Sequence, residues 1–170
     1  MITLYCDGSY KNGRCGIAIA AAFRSGLSVE GLRIIPLPIS GIGIFNPVVT
    51  IEESGYHILA SAFPGKSNFA AETAALALAI ETAHHLLLVS RGVCSSATIR
   101  SDSRNAIMEV LSGDSPRFAG TCFLRRILDR YPIVVLKTDA RRKEQGSLIA
   151  DRWAGKVRKD LAREKGGPSL

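Results

Sequence analysis

The sequence lacks the cysteine patterns of two common classes of protein. Its four cysteines, Cys6, Cys15, Cys94 and Cys122, include no CxxC pair and have no histidine cluster beside them. Zinc-binding domains need closely spaced cysteine or histidine ligands, and disulfide-rich domains need many cysteines in a short chain. We therefore predict neither a zinc site nor a disulfide framework, and we expect reduced thiols in an intracellular, cytoplasmic protein.

The sequence also lacks a hydrophobic run suited to targeting or to a membrane span. It enters a strand-like pattern at once, without a basic start followed by an apolar run and a cleavage site of small residues. The stretch 34–51 is apolar, but proline and glycine at five positions would break a spanning helix. Those positions are Pro36, Pro38, Gly41, Gly43 and Pro47. We expect no targeting segment and no membrane association.

What the chain does contain is the composition of an ordinary globular domain. Its 170 residues are 46% hydrophobic and 22% charged, far from the signature of a disordered chain. A chain of this length usually forms one domain with a single core. We assign residues 1–165 to that domain and residues 166–170 to a flexible tail.

The net charge of +7 is distributed unevenly along the chain. Residues 1–120 contain nine basic and nine acidic residues, whereas residues 121–170 contain thirteen basic and six acidic residues. A basic region attached to a neutral body favours a polyanionic partner, and nucleic acid is the commonest such partner. A solvated helix face that keeps the protein soluble explains the same charge equally well.

The apolar pattern predicts strands and helices that together form a mixed sheet. Residues 3–7 and 16–23 are predicted strands, and the Asn12-Gly13 pair between them is typical of a hairpin turn. The other predicted strands are 56–63, 97–101 and a buried strand at 133–137; the predicted helices are 68–88, 103–111, 118–130 and 148–164. Strands separated by helices favour parallel pairing. The Gly- and Pro-rich segment 24–55 suggests only short extended pieces at 32–35 and 48–52, and its role stays open.

Four carboxylates occupy places where a packed core would not normally put them. Asp7 follows an apolar stretch in the first strand, and Asp102 directly follows another strand, where open α/β sheets build their sites. Glu72 lies in the first turn of the long helix, on its apolar side. Asp151 borders the apolar face of the last helix, a position from which it could reach inward.

Each of these carboxylates has a structural explanation when it is taken alone. Asp102 could cap the following helix, Glu72 and Asp151 could complement helix dipoles, and Asp7 could shape a turn. Converging carboxylates, however, repel one another unless cations neutralise them. Two divalent ions held by carboxylates are suited to phosphodiester cleavage, and oxygen ligands favour Mg²⁺ or Mn²⁺.

The residues around these carboxylates match a known family. The segments Tyr5-Cys6-Asp7-Gly8-Ser9, Ser67-Asn68-Phe69-Ala70-Ala71-Glu72, Ser101-Asp102-Ser103 and Ala150-Asp151-Arg152-Trp153-Ala154 resemble, in order, the four acidic motifs of ribonuclease H of the cellular and retroviral type. The resemblance covers nearly the whole chain. It implies an α/β ribonuclease H-like fold, with a five-stranded mixed sheet in the order 3-2-1-4-5, its first three strands antiparallel, flanked by helices.

The resemblance also implies an activity and a cofactor. The family hydrolyses the RNA strand of RNA/DNA hybrids as an endonuclease, using two Mg²⁺ ions, with Mn²⁺ as a substitute, and leaves 5′-phosphate and 3′-hydroxyl ends. Asp7 resembles the ligand that bridges both metals, and Glu72 and Asp102 resemble the other ligands of the water-activating ion. Asp151 resembles the ligand on the leaving-group side. The expected partner is an RNA/DNA hybrid, and we expect a monomer.

Further residues are expected to contact the substrate by the same resemblance. The family's glutamate, here Glu72, also senses the 2′-hydroxyl that distinguishes RNA from DNA. Gly8 and Ser9 match the turn where the RNA backbone approaches closely, and Asn68 matches an asparagine that contacts the hybrid. The remaining expected substrate-binding residues are Ser103, Arg104, Arg141 and Arg142.

The sequence departs from the family pattern in three places. Phe69 stands where many relatives have a second Asn or Gln, and the loop 138–146 contains no histidine. Arg141 falls near the missing histidine; it could help expel the cleaved phosphate but would be a poor proton shuttle. The family's basic protrusion with interleaved tryptophans is absent, because only residues 114–116 separate the second and third predicted helices.

Two other functions remain open from the sequence. One is a DNA nuclease of the resolvase or transposase kind on the same fold, and the other is a non-catalytic nucleic-acid-binding module. The sequence does not decide between a free-standing enzyme and a domain of a reverse transcriptase-like protein.

Overall fold

A computed structural model describes residues 1–23, 46–90, 92–115, 120–139 and 144–164. The extended piece predicted at 32–35, the residues Arg141 and Arg142, and the tail 166–170 lie outside these ranges. So does the predicted start of the third helix at residue 118.

Six strands and four helices follow one another along the described chain. They are β1 (Ile2–Lys11), β2 (Arg14–Phe23), β3 (Asn46–Glu53), β4 (Tyr56–Pro64), α1 (Asn68–Val89), β5 (Ala97–Ser101), α2 (Arg104–Ser112), α3 (Thr121–Arg130), β6 (Ile133–Lys137) and α4 (Gln145–Glu164). The Asn12-Gly13 turn is confirmed, since both residues have the positive φ angles, 51° and 75°, that a tight hairpin turn requires. Ser67 caps α1, accepting a hydrogen bond from the backbone N–H of Ala70.

The sheet corrects the predicted strand count. The order is β3-β4-β2-β1-β5-β6; the pairs among the first four strands are antiparallel, while β1–β5 and β5–β6 are parallel. The five predicted strands keep their predicted order, and the extended piece predicted at 48–52 is part of a sixth strand, β3, outside β4. Its register shifts between Asn46 and Val49, and Pro47 lacks an N–H group, which obscures the pattern of a strand. The positive φ angles of Ser54 and Gly55, 53° and 77°, mark the two-residue turn into β4.

Helices cover both faces of the sheet. Helix α1 packs on one face with α2 and α3 behind it, in a cluster that includes Leu4, Ile17 and Leu76. Helix α4 packs on the other face, where Trp153 and Ile149 contact Tyr5, Ala18 and Ile58 in a second cluster. Helix α1 is long and apolar enough to cross a membrane by length and composition alone, but most of that stretch is buried inside the protein.

The structure also shows how exposed β6 and the four cysteines are. Strand β6, predicted as buried, is largely exposed: Val134 and Leu136 are 53% and 41% accessible, because β6 pairs only with β5 among the described strands. All four cysteines are free; Cys6, Cys15 and Cys94 are buried, whereas Cys122 on α3 is exposed.

Candidate active site

Two of the predicted carboxylates leave neighbouring strands at the same edge of the sheet. Strands β1 and β5 run parallel, with Tyr5 paired to Arg100, so Asp7 and Asp102 both lie just beyond the last paired residues. The buried Cys6 thiol lies between them. Burial, together with the nearby negative charges of Asp7 and Asp102, raises the pKa of this thiol to about 12. The two carboxylates are therefore close enough to act on one common neighbour.

Gly8 brings the helix that carries Glu72 against this edge. A Cβ atom on Gly8 would lie 2.3 Å from the carbonyl carbon of Ala71 and 2.4 Å from the backbone nitrogen of Glu72. Only glycine allows β1 and α1 to approach so closely. The backbone N–H of Gly8 also donates to Oδ1 of Asp7 at 2.7 Å, which orients that carboxylate. Asp7, Glu72 and Asp102 thus come from three elements that meet at one place.

Hydrogen bonds hold the carboxylate of Glu72. Its Oε1 accepts from Nδ2 of Asn68 at 2.5 Å, and its Oε2 accepts from Oγ of Ser103. Ser103 also caps α2, accepting from the backbone N–H of Ala106 at 3.3 Å. The structural explanation of Asp102 as the cap of this helix is therefore wrong, because the next residue has that role.

Asp7 faces helix α4. Alternate residues of a strand point to the same face, and the two odd-numbered neighbours of Asp7 both contact α4. The ring of Tyr5 lies against Gly146, and Oγ of Ser9 accepts from Nε of Arg158 at 2.9 Å. Asp7, halfway between them, therefore faces the middle of α4, where Asp151 lies.

Asp151 itself lies at the rim of the site. Its side chain is exposed, whereas its neighbours Ala150 and Trp153 are buried against the sheet and occupy the inward positions. Two contacts hold this part of α4 to β3: Nε1 of Trp153 donates to Oε2 of Glu53 at 2.8 Å, and Arg152 pairs with the same carboxylate.

The carboxylates do not form a compact metal cluster. Among the described residues, no three histidine, cysteine, aspartate or glutamate side chains are grouped closely enough to hold one ion. The backbone explains this spacing. Asp7 lies on the sheet face that α4 covers, whereas Glu72 belongs to α1, which packs on the opposite face. Their side chains can meet only past the end of β5. The donor atoms that the four carboxylates offer are all oxygens, which suits Mg²⁺.

Beside the site, Glu144 bonds Tyr5 and Arg100 in a network that no sequence pattern indicated. Oε2 of Glu144 accepts from the hydroxyl of Tyr5 at 2.5 Å, and its Oε1 pairs with Nη1 of Arg100 at 2.6 Å. Burial and this hydrogen bond raise the pKa of Tyr5 to about 12. Glu144 precedes α4 and so fastens the start of that helix to β1 and β5. Its partners lie 139 and 44 residues away, a separation that no local pattern bridges.

Two predicted substrate-binding residues, Asn68 and Arg104, lie at the starts of α1 and α2. Arg104 is exposed at the first position of α2. Next to Asn68, a groove of about 440 Å³ lies between α1 and α2, lined by Phe69, Asn105, Met108, Glu109 and Ser112. Phe69, at the position where many relatives have a polar residue, gives this groove an apolar wall.

Comparisons with known proteins agree with this architecture. No family model and no curated protein matches the sequence. Among solved structures, the chain is similar to LC11-RNase H1, isolated from compost, in complex with an RNA/DNA hybrid, with a TM-score of 0.60 and 14% identity over 95% of this chain and 99% of that chain. It is similar to RNase H1 from the halophilic archaeon Halobacterium salinarum NRC-1, with a TM-score of 0.55 and 15% identity over 94% and 98% of the two chains.

A third similar structure is the foamy viral protease-reverse transcriptase in complex with double-stranded DNA, with a TM-score of 0.54 and 10% identity over 94% and 93% of the two chains. These similarities extend over nearly the whole chain, and the sheet places Asp7 and Asp102 at one edge. The chain therefore has the ribonuclease H-like fold.

Proposed function

We propose that this protein is an endonuclease that hydrolyses the RNA strand of RNA/DNA hybrids and leaves 5′-phosphate and 3′-hydroxyl ends. The observation that carries the proposal is that β1, β5 and the first turn of α1 bring Asp7, Asp102 and Glu72 to the same end of the sheet. Like-charged carboxylates are costly at one place unless cations bind there. One of the similar solved structures is an RNase H1 bound to an RNA/DNA hybrid, which supports this substrate.

The proposed cofactor is a pair of Mg²⁺ ions, with Mn²⁺ as a substitute. Asp7, Glu72, Asp102 and Asp151 are the residues that would hold them, and their all-oxygen donor set fits these metals better than zinc. When bound, divalent ions stabilise the charge on the attacking and leaving oxygens of a phosphodiester. The hydrogen bond from Gly8 to Asp7 keeps one carboxylate oriented before any ion binds.

The chain's own residues provide the substrate contacts in this proposal. Gly8, which has no side chain, lets α1 pack against β1 and so keeps Glu72 beside the strand that carries Asp7, and the backbone of this turn is proposed to contact the RNA strand. Glu72, held by Asn68 and Ser103, is positioned to accept a hydrogen bond from a 2′-hydroxyl, the group that distinguishes RNA from DNA. Exposed Arg104, at the start of α2, is available to a phosphate of the hybrid.

A comparison of four substrates tests the proposal. The purified chain is incubated with an RNA/DNA hybrid, duplex DNA, duplex RNA and single-stranded RNA, with and without Mg²⁺, and products are resolved with their end groups. We expect metal-dependent cleavage of the hybrid's RNA strand alone. Cleavage of duplex DNA would instead favour a DNA nuclease, and binding without cleavage would favour a non-catalytic module.

A single substitution tests the assigned carboxylates. Asp102→Asn keeps the size of the side chain but removes a negative charge, so we expect cleavage to fall at least a hundredfold while the circular dichroism spectrum is unchanged. Asp114→Asn, in the exposed segment after α2, is the matched control and should retain full activity. Full activity of Asp102→Asn would overturn the assignment.

A further inference from the structure

A second concave surface lies beyond the candidate active site and contains only basic and amide side chains. Lys11, Asn12 and Arg14, at the turn between β1 and β2, and Arg158 and Lys159 of α4 line a groove of about 210 Å³. We call it the basic groove. None of its residues is among the four carboxylates or their hydrogen-bond partners.

The four cations of the basic groove have no acidic partners within the described ranges. The ion pairs of the described residues are formed by Arg100, Arg125, Arg152 and Arg163, none of which lines this groove. Arg14 and Arg158 are half-buried, and Arg158 is fixed by its bond to Ser9 at 2.9 Å. Four positive charges held together without counter-charges repel one another, and a bound anion relieves that repulsion.

The groove is continuous with the candidate active site along β1. Asp7, Ser9 and Lys11 are alternate residues of this strand and share the face toward α4. At about 3.4 Å per residue, Lys11 lies roughly 14 Å from Asp7. Along one strand of a duplex, charges recur about every 3.4 Å of axis, so this distance spans roughly four nucleotides.

We propose that the basic groove binds backbone phosphates of the nucleic acid roughly four nucleotides from the bond cleaved at the carboxylates. This inference rests on the proposed function for its substrate. A chain of phosphates matches both the spacing from Asp7 and the absence of counter-charges, and the contact needs no base recognition. It gives the protein a grip on the duplex that does not depend on a separate basic protrusion.

Salt-dependent binding tests the groove without relying on cleavage. The full chain and the variant Lys11→Ala/Lys159→Ala are titrated with a fluorescent 20-base-pair hybrid in EDTA, at several salt concentrations. Both lysines are exposed, so their removal leaves the core intact. Because each lost phosphate contact lowers the slope of log K against log salt by about 0.7–0.9, we expect a slope smaller by about 1.5. Arg126→Ala/Arg130→Ala removes the same charge from exposed sites on α3 and should change the slope little.

Steady-state cleavage separates this inference from the proposed function. In Mg²⁺ the groove variant should raise KM about tenfold and leave kcat unchanged, because the groove lies outside the carboxylates. An unchanged slope and KM, or an equal loss in the α3 control, would overturn the groove while leaving the nuclease assignment intact. A chain that shows the expected slope change but never cleaves would overturn the proposed function and leave the groove as a binding surface.

Discussion

At the scale of single residues, Gly8 sets the separation between Asp7 and Glu72. Its neighbour across the interface is the backbone of α1, which cannot rotate away as a flexible side chain could. The same residue donates to Asp7, so one position controls both the approach of the helix and the orientation of a carboxylate. Stability and site geometry are therefore linked at Gly8.

Replacing Gly8 with alanine should show this link. The added methyl group forces α1 away from β1, and we expect a loss of about 1–3 kcal/mol in the free energy of unfolding, typical of overpacking. Hybrid cleavage should fall more than stability alone explains, because Glu72 moves with α1. Urea unfolding and cleavage rates measure the two effects. Gly155→Ala in α4 is the control: no atom lies within 4 Å of its added methyl, so stability should hold or rise.

Glu81 gives the protein a pH-dependent stability that does not involve the site. Burial raises the pKa of this carboxyl on α1 to about 8, from an ordinary value of 4.5. The folded state therefore retains a proton that the unfolded state releases. The resulting stability is fully present below pH 4.5 and is lost as the pH rises through about 8.

The variant Glu81→Gln tests this effect, since glutamine stays neutral. Wild-type stability should fall between pH 5 and 8 by up to about 1.4 kcal/mol per pH unit, and the variant should lack this component. Chemical unfolding at several pH values measures it. Glu52→Gln, an exposed residue on β3, should keep the wild-type slope. A wild-type slope in Glu81→Gln would show that Glu81 is not the group responsible.

At the scale of elements, the sequence predicted what local patterns encode. The apolar pattern and the Asn12-Gly13 turn predicted the central strands. The extended piece predicted at 48–52 lies within β3, but Pro47 and the register shift hid its full length and its place in the sheet. The burial of β6 was misjudged because a five-residue apolar run has the same pattern at the edge and at the centre of a sheet.

The same limit applies to the candidate site. Asp7 and Asp102 could be placed together from the sequence, because the carboxyl ends of parallel strands meet at one edge. The hydrogen bonds from Ser103 to Glu72 and from Tyr5 to Glu144 could not be predicted from the sequence. Each depends on side-chain directions that are set by packing between elements far apart in the chain. The basic groove was hidden for the same reason.

Strand β3 contacts α4 and stabilises its position on the sheet. Glu53 at its end accepts from Trp153 and pairs with Arg152, two residues that directly follow Asp151. Glu53→Gln should weaken both contacts and cost about 1–2 kcal/mol of stability. Because Trp153 is the only tryptophan, its fluorescence should change in the folded state as well. Glu52→Gln on the same strand is the control, and equal spectra for both variants would contradict this role.

At the scale of the whole molecule, the fold brings together basic residues that lie in separate parts of the sequence. The sequence places the surplus of +7 in residues 121–170. In the structure, Lys11 and Arg14 from the neutral body join Arg158 and Lys159 from the basic region in one groove. Asp7 lies farther along the same face of β1. The basic groove and the first of the carboxylates are thus adjacent, as the proposed nuclease activity requires for phosphates and metals.

Divalent ions should therefore stabilise the whole domain if the carboxylates bind them. Ions that bind only the folded state raise the unfolding temperature, and above Kd the stabilisation grows with the logarithm of the ion concentration. We expect Mg²⁺ at 10 mM to raise Tm by a few degrees relative to NaCl of equal ionic strength, as measured by calorimetry. Asp102→Asn should lose most of this increase. An equal increase in the variant would mean that the ions act elsewhere.

The reactivity of the four free cysteines can be used to measure how often the fold opens locally. Cys122 is exposed and can carry a dye without any engineering, whereas the other three thiols are buried and react only when the fold opens locally. Cys6 lies between Asp7 and Asp102, and its raised pKa keeps it protonated and unreactive while β1 and β5 remain paired. The rate at which Cys6 is alkylated therefore reports how often β1 and β5 separate. A bound ion or hybrid that holds the two strands together will slow that rate.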